Sequence, residues 1–323
     1  MTLRVAVLMD PISKIKTYKD SSFAMLLEAQ RRGHELWYFE QGDLALRDGQ
    51  CLGRVRPLVV RDQSSDWHTL GQPEWQPLGA MDIVLMRKDP PFDAQYLYDT
   101  MLLEQAERAG ALVVNRPASL RDANEKLFTA WFPDCCPPTI VARDTDLLRS
   151  FVSEHGDCVA KVLDAMGGAS VFRVAPQDPN LGVILETLTQ EGRHAAMVQR
   201  YLPAIKDGDK RILVIDGEPV AYALARIPKA GEFRGNLARG GTGRGQPLSA
   251  TDRAIAERVG PELRRRGLWF VGLDVIGDRL TEINVTSPTC IRELDAGFGL
   301  NIAGQLFDRL EPLAQAHRRQ VSL

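Results

Sequence analysis

Short apolar runs alternate with segments of helical spacing over residues 1–120. Strands are predicted at residues 3–9, 36–39, 82–86 and 112–115. Helices are predicted at 21–32 and 96–109, closed by Gly33 and Gly110. A polar, tryptophan-containing excursion spans residues 62–77. This β-α-β-α order implies a mostly parallel sheet with helices on both faces. Ligands of such sheets bind beyond the carboxyl ends of the strands. Met9-Asp10-Pro11 and Arg87-Lys88-Asp89 stand at such ends.

Residues 121–205 read as a smaller lobe: an amphipathic helix at 124–132, strands at 158–163 and 170–174, a helix at 181–190 and a strand at 196–201. Residues 206–323 hold strands at 210–215 and 219–224, a glycine- and arginine-rich segment at 227–245 and a helix at 251–266. A hairpin and a closing helix from about 301 to 317 follow. No internal repeat or low-complexity tail breaks this order. The expected class is α/β with three lobes.

The hairpin at residues 269–285 carries the most chemistry. Its first strand is apolar except for Asp274, Gly277-Asp278 makes the turn, and the second strand contains Glu282 and Asn284. Alternation puts Glu282 and Asn284 on one face, and pairing can set Asp274 opposite them. Buried and unpaired, each carboxylate would cost several kcal/mol, so a cation is expected there. Hard oxygen ligands suit Mg²⁺ held partly by substrate phosphates, with Mn²⁺ as the alternative ion.

Composition narrows the class. Charged residues make up 25% and the formal charge is −2, so no basic field points to nucleic acid or a membrane surface. No stretch approaches the roughly 18 apolar residues of a membrane span. The N-terminal run is cut by Asp10-Pro11 and reads as a first strand rather than a signal segment, so a cytoplasmic protein is expected. Five cysteines form no Cys-x-x-Cys pair, which argues against a zinc site or a disulfide framework.

Other residues admit two readings each. Lys161 precedes the turn Asp164-Ala165-Met166-Gly167-Gly168, which either cradles phosphate or simply joins two strands. Lys126 is a phosphate contact or a solvated helix lysine. Gln199, Tyr201 and Leu202, with Asp209 beyond them, fit either an adenine and ribose site or a linker. Segment 227–245, with Arg234 and Arg239, fits a lid over anionic groups or a solvated insertion. Arg226 and Arg292 flank the hairpin as anion-binding forks or as surface arginines.

The order Lys126, Lys161 with its glycine turn, residues 199–202, the glycine segment, Asp274 and Glu282-x-Asn284 resembles the ATP-grasp ligases. MDP at 9–11, KDSSFAMLLEAQRRG from Lys19, MRKDPPFD from Met86, NEKLFTAW from Asn124, YLPAIKDGDKR from Tyr201 and GDRLTEINVTSPTCIRE from Gly277 resemble bacterial glutathione synthetases over nearly the whole chain. Val162 and Ala165 depart from that pattern, while Met166-Gly167-Gly168 keeps it.

The resemblance implies a three-lobed ATP-grasp fold with an N-terminal parallel α/β domain at 1–120, a small lobe at 121–205 and a C-terminal lobe at 206–323. It implies formation of glutathione from γ-glutamylcysteine, glycine and ATP through an acyl phosphate. Lys126, Lys161, Gly167, Gly168, Gln199, Tyr201, Leu202 and Asp209 would bind ATP, and Asp274, Glu282 and Asn284 the metal. Arg226, Arg292, Arg234 and Arg239 would act in catalysis. Ser21, Ser22, Arg87, Arg226, Ser287 and Arg292 would bind substrate. A homotetramer is implied as well. A D-alanine–D-alanine ligase-like or peptide-tailing ATP-grasp enzyme, or a non-catalytic ATP-binding protein, are the alternatives.

Overall fold

The computed structural model describes residues 2–165, 168–232, 234–235 and 240–321. Two expected site residues, Gly167 and Arg239, lie outside the described residues. The N-terminal part runs β1 (Arg4–Leu8), α1 (Ser21–Arg31), β2 (Glu35–Phe39), β3 (Leu44–Arg47), β4 (Gln50–Val60), β5 (His68–Leu70), β6 (Glu74–Pro77), β7 (Ile83–Met86), α2 (Ala94–Arg108), β8 (Leu112–Val114) and α3 (Pro117–Asp122). Strands β2, β1, β7 and β8 are parallel, with Val5 opposite both Leu36 and Ile83. These strands are buried almost throughout, as a sheet covered on both faces requires. The polar excursion is not a loop: β5 and β6 both pair antiparallel with the long strand β4.

A second, antiparallel sheet follows, in the order β11-β10-β12-β9. Its strands are β9 (Thr139–Ala142), β10 (Cys158–Val162), β11 (Val171–Val174) and β12 (Ala196–Arg200). Helices α4 (Thr145–His155) and α5 (Leu181–Thr189) close a separate small core over it. The expected helix at 124–132 is instead a 3₁₀ turn over Leu127–Trp131. The Asn124 side chain accepts from the Lys126 and Leu127 N–H groups at 3.1 and 2.9 Å, which competes with α-helical bonding at its start.

The third sheet is antiparallel, in the order β15-β14-β13-β16-β17. It comprises β13 (Asp209–Ile215), β14 (Glu218–Ile227), β15 (Thr242–Pro247), β16 (Phe270–Ile276) and β17 (Arg279–Asn284), with α6 (Ala250–Arg265) between β15 and β16. The end of the glycine-rich segment is therefore strand, with Arg244 opposite Ala225. The closing helix stands where expected, as α8 (Ile302–Val321), and a further short helix, α7 (Ile291–Phe298), precedes it. Gly299, with φ +63°, makes the break between them.

Alternation along this sheet feeds two cores. Ile212, Val214, Val271, Leu273 and Val275 enter the core shared with α6. Leu213, Ile215 and Phe270 enter the core shared with α7, α8 and the first sheet. Asn115 at the end of β8 ties the first and third sheets. Its amide donates to the carbonyls of Phe270 and Val285 at 2.8 and 2.7 Å and accepts from the Phe270 N–H at 2.9 Å.

Candidate active site

The face of the third sheet that carries Leu213 and Phe270 turns polar toward one end. Register sets Asp209 opposite Arg226, Arg211 opposite Asp274, Asp274 opposite Glu282 and Gly272 opposite Asn284. A row of charged side chains of both signs thus crosses four neighbouring strands. The three oxygen-bearing groups expected to converge do so: the Asn284 amide donates to Asp274 Oδ2 at 3.1 Å, and all three line one cavity of ≈ 490 Å³.

The charge demanded by Asp274 comes from protein groups. Asp274 is only 3% exposed. Arg211 grips it with Nε on Oδ1 at 2.5 Å and Nη2 on Oδ2 at 3.1 Å, and Arg226 Nη2 reaches Oδ2 at 2.9 Å. Burial alone would push this carboxyl up, but the two guanidiniums outweigh it and hold it below the ordinary carboxylate range. Arg226 also pairs with Asp209. Burial, and then the neighbouring Asp274 and Glu282 charges, push the Asp209 carboxyl up against the pull of Arg226. Asp209 Oδ1 is buried without a hydrogen-bond partner among the described residues.

Glu282 meets the smaller lobe. Lys161 Nζ of β10 stands 3.5 Å from Glu282 Oε1 and Lys126 Nζ 3.9 Å. Lys126 also pairs with Glu125 and donates to the Ala165 carbonyl at 2.7 Å. Burial would lower the Lys126 ammonium, yet Glu282 and Glu125 raise it, so it stays charged. Lys126, Lys161, Gly168, Gln199, Tyr201, Leu202 and Asp209 all line a second cavity of ≈ 120 Å³. Val159, Val171, Ile205 and Ile276 give it an apolar wall. Glu125 and Glu282 line both cavities and so stand at their junction. Arg234 of the glycine-rich segment donates to the Gly168 carbonyl at 3.0 Å, joining that segment to the glycine turn.

Several expected residues are engaged elsewhere. Arg87 is buried, donating to Ser22 Oγ at 3.0 Å and to the Pro288 carbonyl at 2.9 Å. Ser21 Oγ accepts from the Ile291 N–H at 3.2 Å. These three fasten the loop between β17 and α7 onto the N-terminal sheet. Ser287 lines the larger cavity and donates to Asp89. Arg292 is not brought to the acidic row: it pairs with Asp62 at 2.9 Å and lies over the Phe23 ring at 5.5 Å. Successive helix residues point about 100° apart, and in α7 it is Glu293 that lines the cavity. Gln199 donates its amide to Thr139 Oγ1 at 3.0 Å.

Two residues beyond the expected set stand in the row and its junction, Arg211 and Glu125. Arg211 ends the charged start of β13, Asp209-Lys210-Arg211, and Asp274 is a lone carboxylate in the apolar β16. The lone carboxylate in β16 signals that a cation is needed, but not which one supplies it.

Residues 3–121 match the model of the prokaryotic glutathione synthetase N-terminal domain, and residues 125–299 that of the prokaryotic glutathione synthetase ATP-grasp domain. The chain is 62% identical over 310 residues to a glutathione synthetase of Pseudomonas aeruginosa, spanning 96% of this chain and 98% of that one. It is 57% identical over 313 residues to a glutathione synthetase of Escherichia coli K12, spanning 97% and 99%. Among solved structures, the D-cycloserine synthetase DcsG aligns with a TM-score of 0.66 at 15% identity, over 97% of this chain and 99% of that one. The ATP-grasp ligase PsnB with its minimal precursor gives 0.63 at 20% identity, over 97% and 99%. At such identities these two speak for the fold alone. The chain belongs to the prokaryotic glutathione synthetase family, a family of ATP-dependent ligases with the ATP-grasp fold.

Proposed function

We propose that this protein joins γ-glutamylcysteine to glycine, with ATP converted to ADP and phosphate. One observation carries the reading. A row of paired charges lies where a cavity lined by Lys126, Lys161 and apolar side chains meets a larger one lined by Arg211, Arg226 and Asp274. A nucleotide suits the first cavity and a charged peptide the second, so the reacting atoms meet near Glu282.

A carboxylate resists attack by an amine until it is activated, and phosphoryl transfer to it makes an acyl phosphate. Such transfer needs positioning and charge neutralisation rather than a protein nucleophile. Lys126 and Lys161 bind phosphate oxygens; their present partner, Glu282, offers the carboxylate that a divalent ion would take. Gly167 and Gly168 bring backbone N–H groups to the phosphates. The apolar wall holds adenine beside Gln199, Tyr201 and the Leu202 N–H, which has no partner among the described residues, and Asp209 faces the ribose. Arg211 and Arg226 orient a substrate carboxylate and stabilise the oxyanion. Arg234 and Arg239 close the lid over the site and exclude water, which would otherwise hydrolyse the intermediate.

Ligases of this family work with ATP and a divalent metal. The donor set fits one: Glu282, Asn284 and Asp274 are hard oxygen ligands on one cavity wall. Among the described residues no cluster of three or more His, Cys, Asp or Glu side chains could hold a metal ion, and the nucleotide's phosphates would supply the remaining oxygen ligands. We favour Mg²⁺ over Mn²⁺, with Glu282 and Asn284 as direct ligands and Asp274 lending its remaining lone pairs. Bound there, the ion would screen the charge between the terminal phosphates. Lobes at 1–120, 121–205 and 206–323, a cytoplasmic setting and a homotetramer complete the proposal. Among the described residues no helix is long and apolar enough to cross a membrane.

The test is incubation with ATP, Mg²⁺, γ-glutamylcysteine and glycine. The expected result is one thiol tripeptide per ADP. Phosphate release with a different pair of amino acids, and none with this pair, would overturn the assignment.

A further inference from the structure

We propose that Glu293 and Lys19 read the free amino-acid end of the γ-glutamyl group, Glu293 Oε2 taking the α-ammonium and Lys19 the α-carboxylate. The assignment rests on the reaction proposed above and concerns the part of the substrate farthest from the chemistry.

A γ-glutamyl compound ends in an ammonium and a carboxylate on one carbon. A pocket that distinguishes it must present an anion and a cation side by side. Of the residues expected from the sequence to bind substrate, Ser21, Ser22 and Arg87 are consumed in fastening the loop before α7.

The larger cavity has a further charged wall, formed by the segment after β1 and by the first turn of α7. Most of its acids are engaged. Asp10 pairs with Lys88 at 3.0 Å and accepts from the Asp89 N–H at 3.0 Å. Asp20 caps α1 by accepting from the Phe23 N–H at 2.7 Å. Asp89 accepts from Ser287.

Two kinds of group are left over. Among the described residues, Lys14, Lys16 and Lys19 line the cavity without an ion pair within 4.0 Å. Glu293 lines it with Oε2 buried and without any hydrogen-bond partner among the described residues. A buried polar oxygen without a partner is costly to keep unless a ligand supplies the donor. Lys14 and Lys16 are exposed, whereas Lys19 is half-buried. Lys19 is also close enough to Glu293 to act on its charge, as Arg211 is from the reacting end. Burial pushes the Glu293 carboxyl up, the cost that an incoming ammonium would relieve. The pair therefore has the signs and the unmet bonding that an α-amino acid group requires.

The experiment is steady-state kinetics of the full-length enzyme with saturating Mg-ATP and glycine and three donors. These are γ-glutamylcysteine, glutarylcysteine (no α-ammonium) and 4-aminobutyrylcysteine (no α-carboxylate). A site that hydrogen-bonds a substrate group rejects analogues lacking it. The wild type should show KM values about tenfold or more higher for each analogue. Glu293→Gln should raise KM for γ-glutamylcysteine by a similar factor, with a smaller effect on kcat, and leave KM for glutarylcysteine at its wild-type value. Lys19→Met should behave in the same way toward 4-aminobutyrylcysteine. An equal KM rise for both donors in either variant would mean a packing role and overturn the assignment. So would wild-type KM values that ignore the missing groups. Failure of the wild type to make any thiol tripeptide would instead overturn the reaction, and this assignment with it.

Discussion

Replacing Asp274 with asparagine tests the charge row where it is most tightly drawn. The side chain keeps its shape but loses its charge. Asp274, Arg211 and Arg226 are 3%, 6% and 5% exposed, so solvent screens little of their interaction. Arg226 retains Asp209, while Arg211 is left without a carboxylate. Removing one partner of a buried pair costs about 3–5 kcal/mol. The surviving Oδ1 still accepts from Arg211, which puts the expected loss at the low end, about 3 kcal/mol. That is a large share of a typical total stability. Urea titration at neutral pH should show a lower midpoint with an unchanged slope. The pH dependence has a definite sign. Asp274 is depressed in the folded state, so its stabilisation is complete above the unfolded carboxylate value of about 3.9 and is lost as pH falls through the folded one. The gap between wild type and variant should therefore begin to close below about pH 4. Turnover should fall about 10²- to 10³-fold. A variant as stable as the wild type at pH 7, or a gap indifferent to acid, would refute the idea that the two guanidiniums are anchored by this carboxylate.

Glu282→Gln should fold normally, because Glu282 is 25% exposed, yet lose turnover and the thermal stabilisation given by Mg-ADP; an undiminished thermal shift would exclude Glu282 from the nucleotide–metal site. Lys126→Met should raise the KM for ATP more than that for glycine, read from initial rates against each substrate. A Cβ on Gly235 would overlap the Arg226 carbonyl at the lid base, so Gly235→Ala should raise glycine-independent ADP release; coupling as tight as in the wild type would count against water exclusion by the lid. A Cβ on Gly245 would overlap the Phe298 ring, which stacks on Tyr222 at 3.9 Å, and Gly245→Ala should cost about 1–3 kcal/mol in denaturant unfolding.

Local period carried the reading of the hairpin. Seven residues of β16 with one charge, then a glycine turn, place Asp274 across from Glu282 whatever the rest of the chain does. The parallel core of the first sheet was legible for the same reason, because its strands are unbroken apolar runs. Arg211 was not, since its bond to Asp274 depends on β13 lying beside β16, 63 residues away in sequence. Nor was the engagement of Ser21, Ser22 and Arg87, which depends on the chain returning near residue 288 to the first sheet. Arg292 and Glu293 are neighbours on a short helix, and only its seating decides which of them faces the cavity. Strand β4 carries Pro57 and alternating arginines, signs that weaken a local strand reading; its pairing with four other strands overrides them.

The account rests on activation of a carboxylate by transfer of a phosphoryl group where the two cavities meet. γ-Glutamylcysteine labelled with ¹⁸O in its cysteinyl carboxylate, incubated with ATP, Mg²⁺ and glycine, follows the oxygen directly. Acyl phosphate chemistry predicts one labelled oxygen in the released phosphate for each tripeptide formed. Unlabelled phosphate appearing in step with the tripeptide would contradict it.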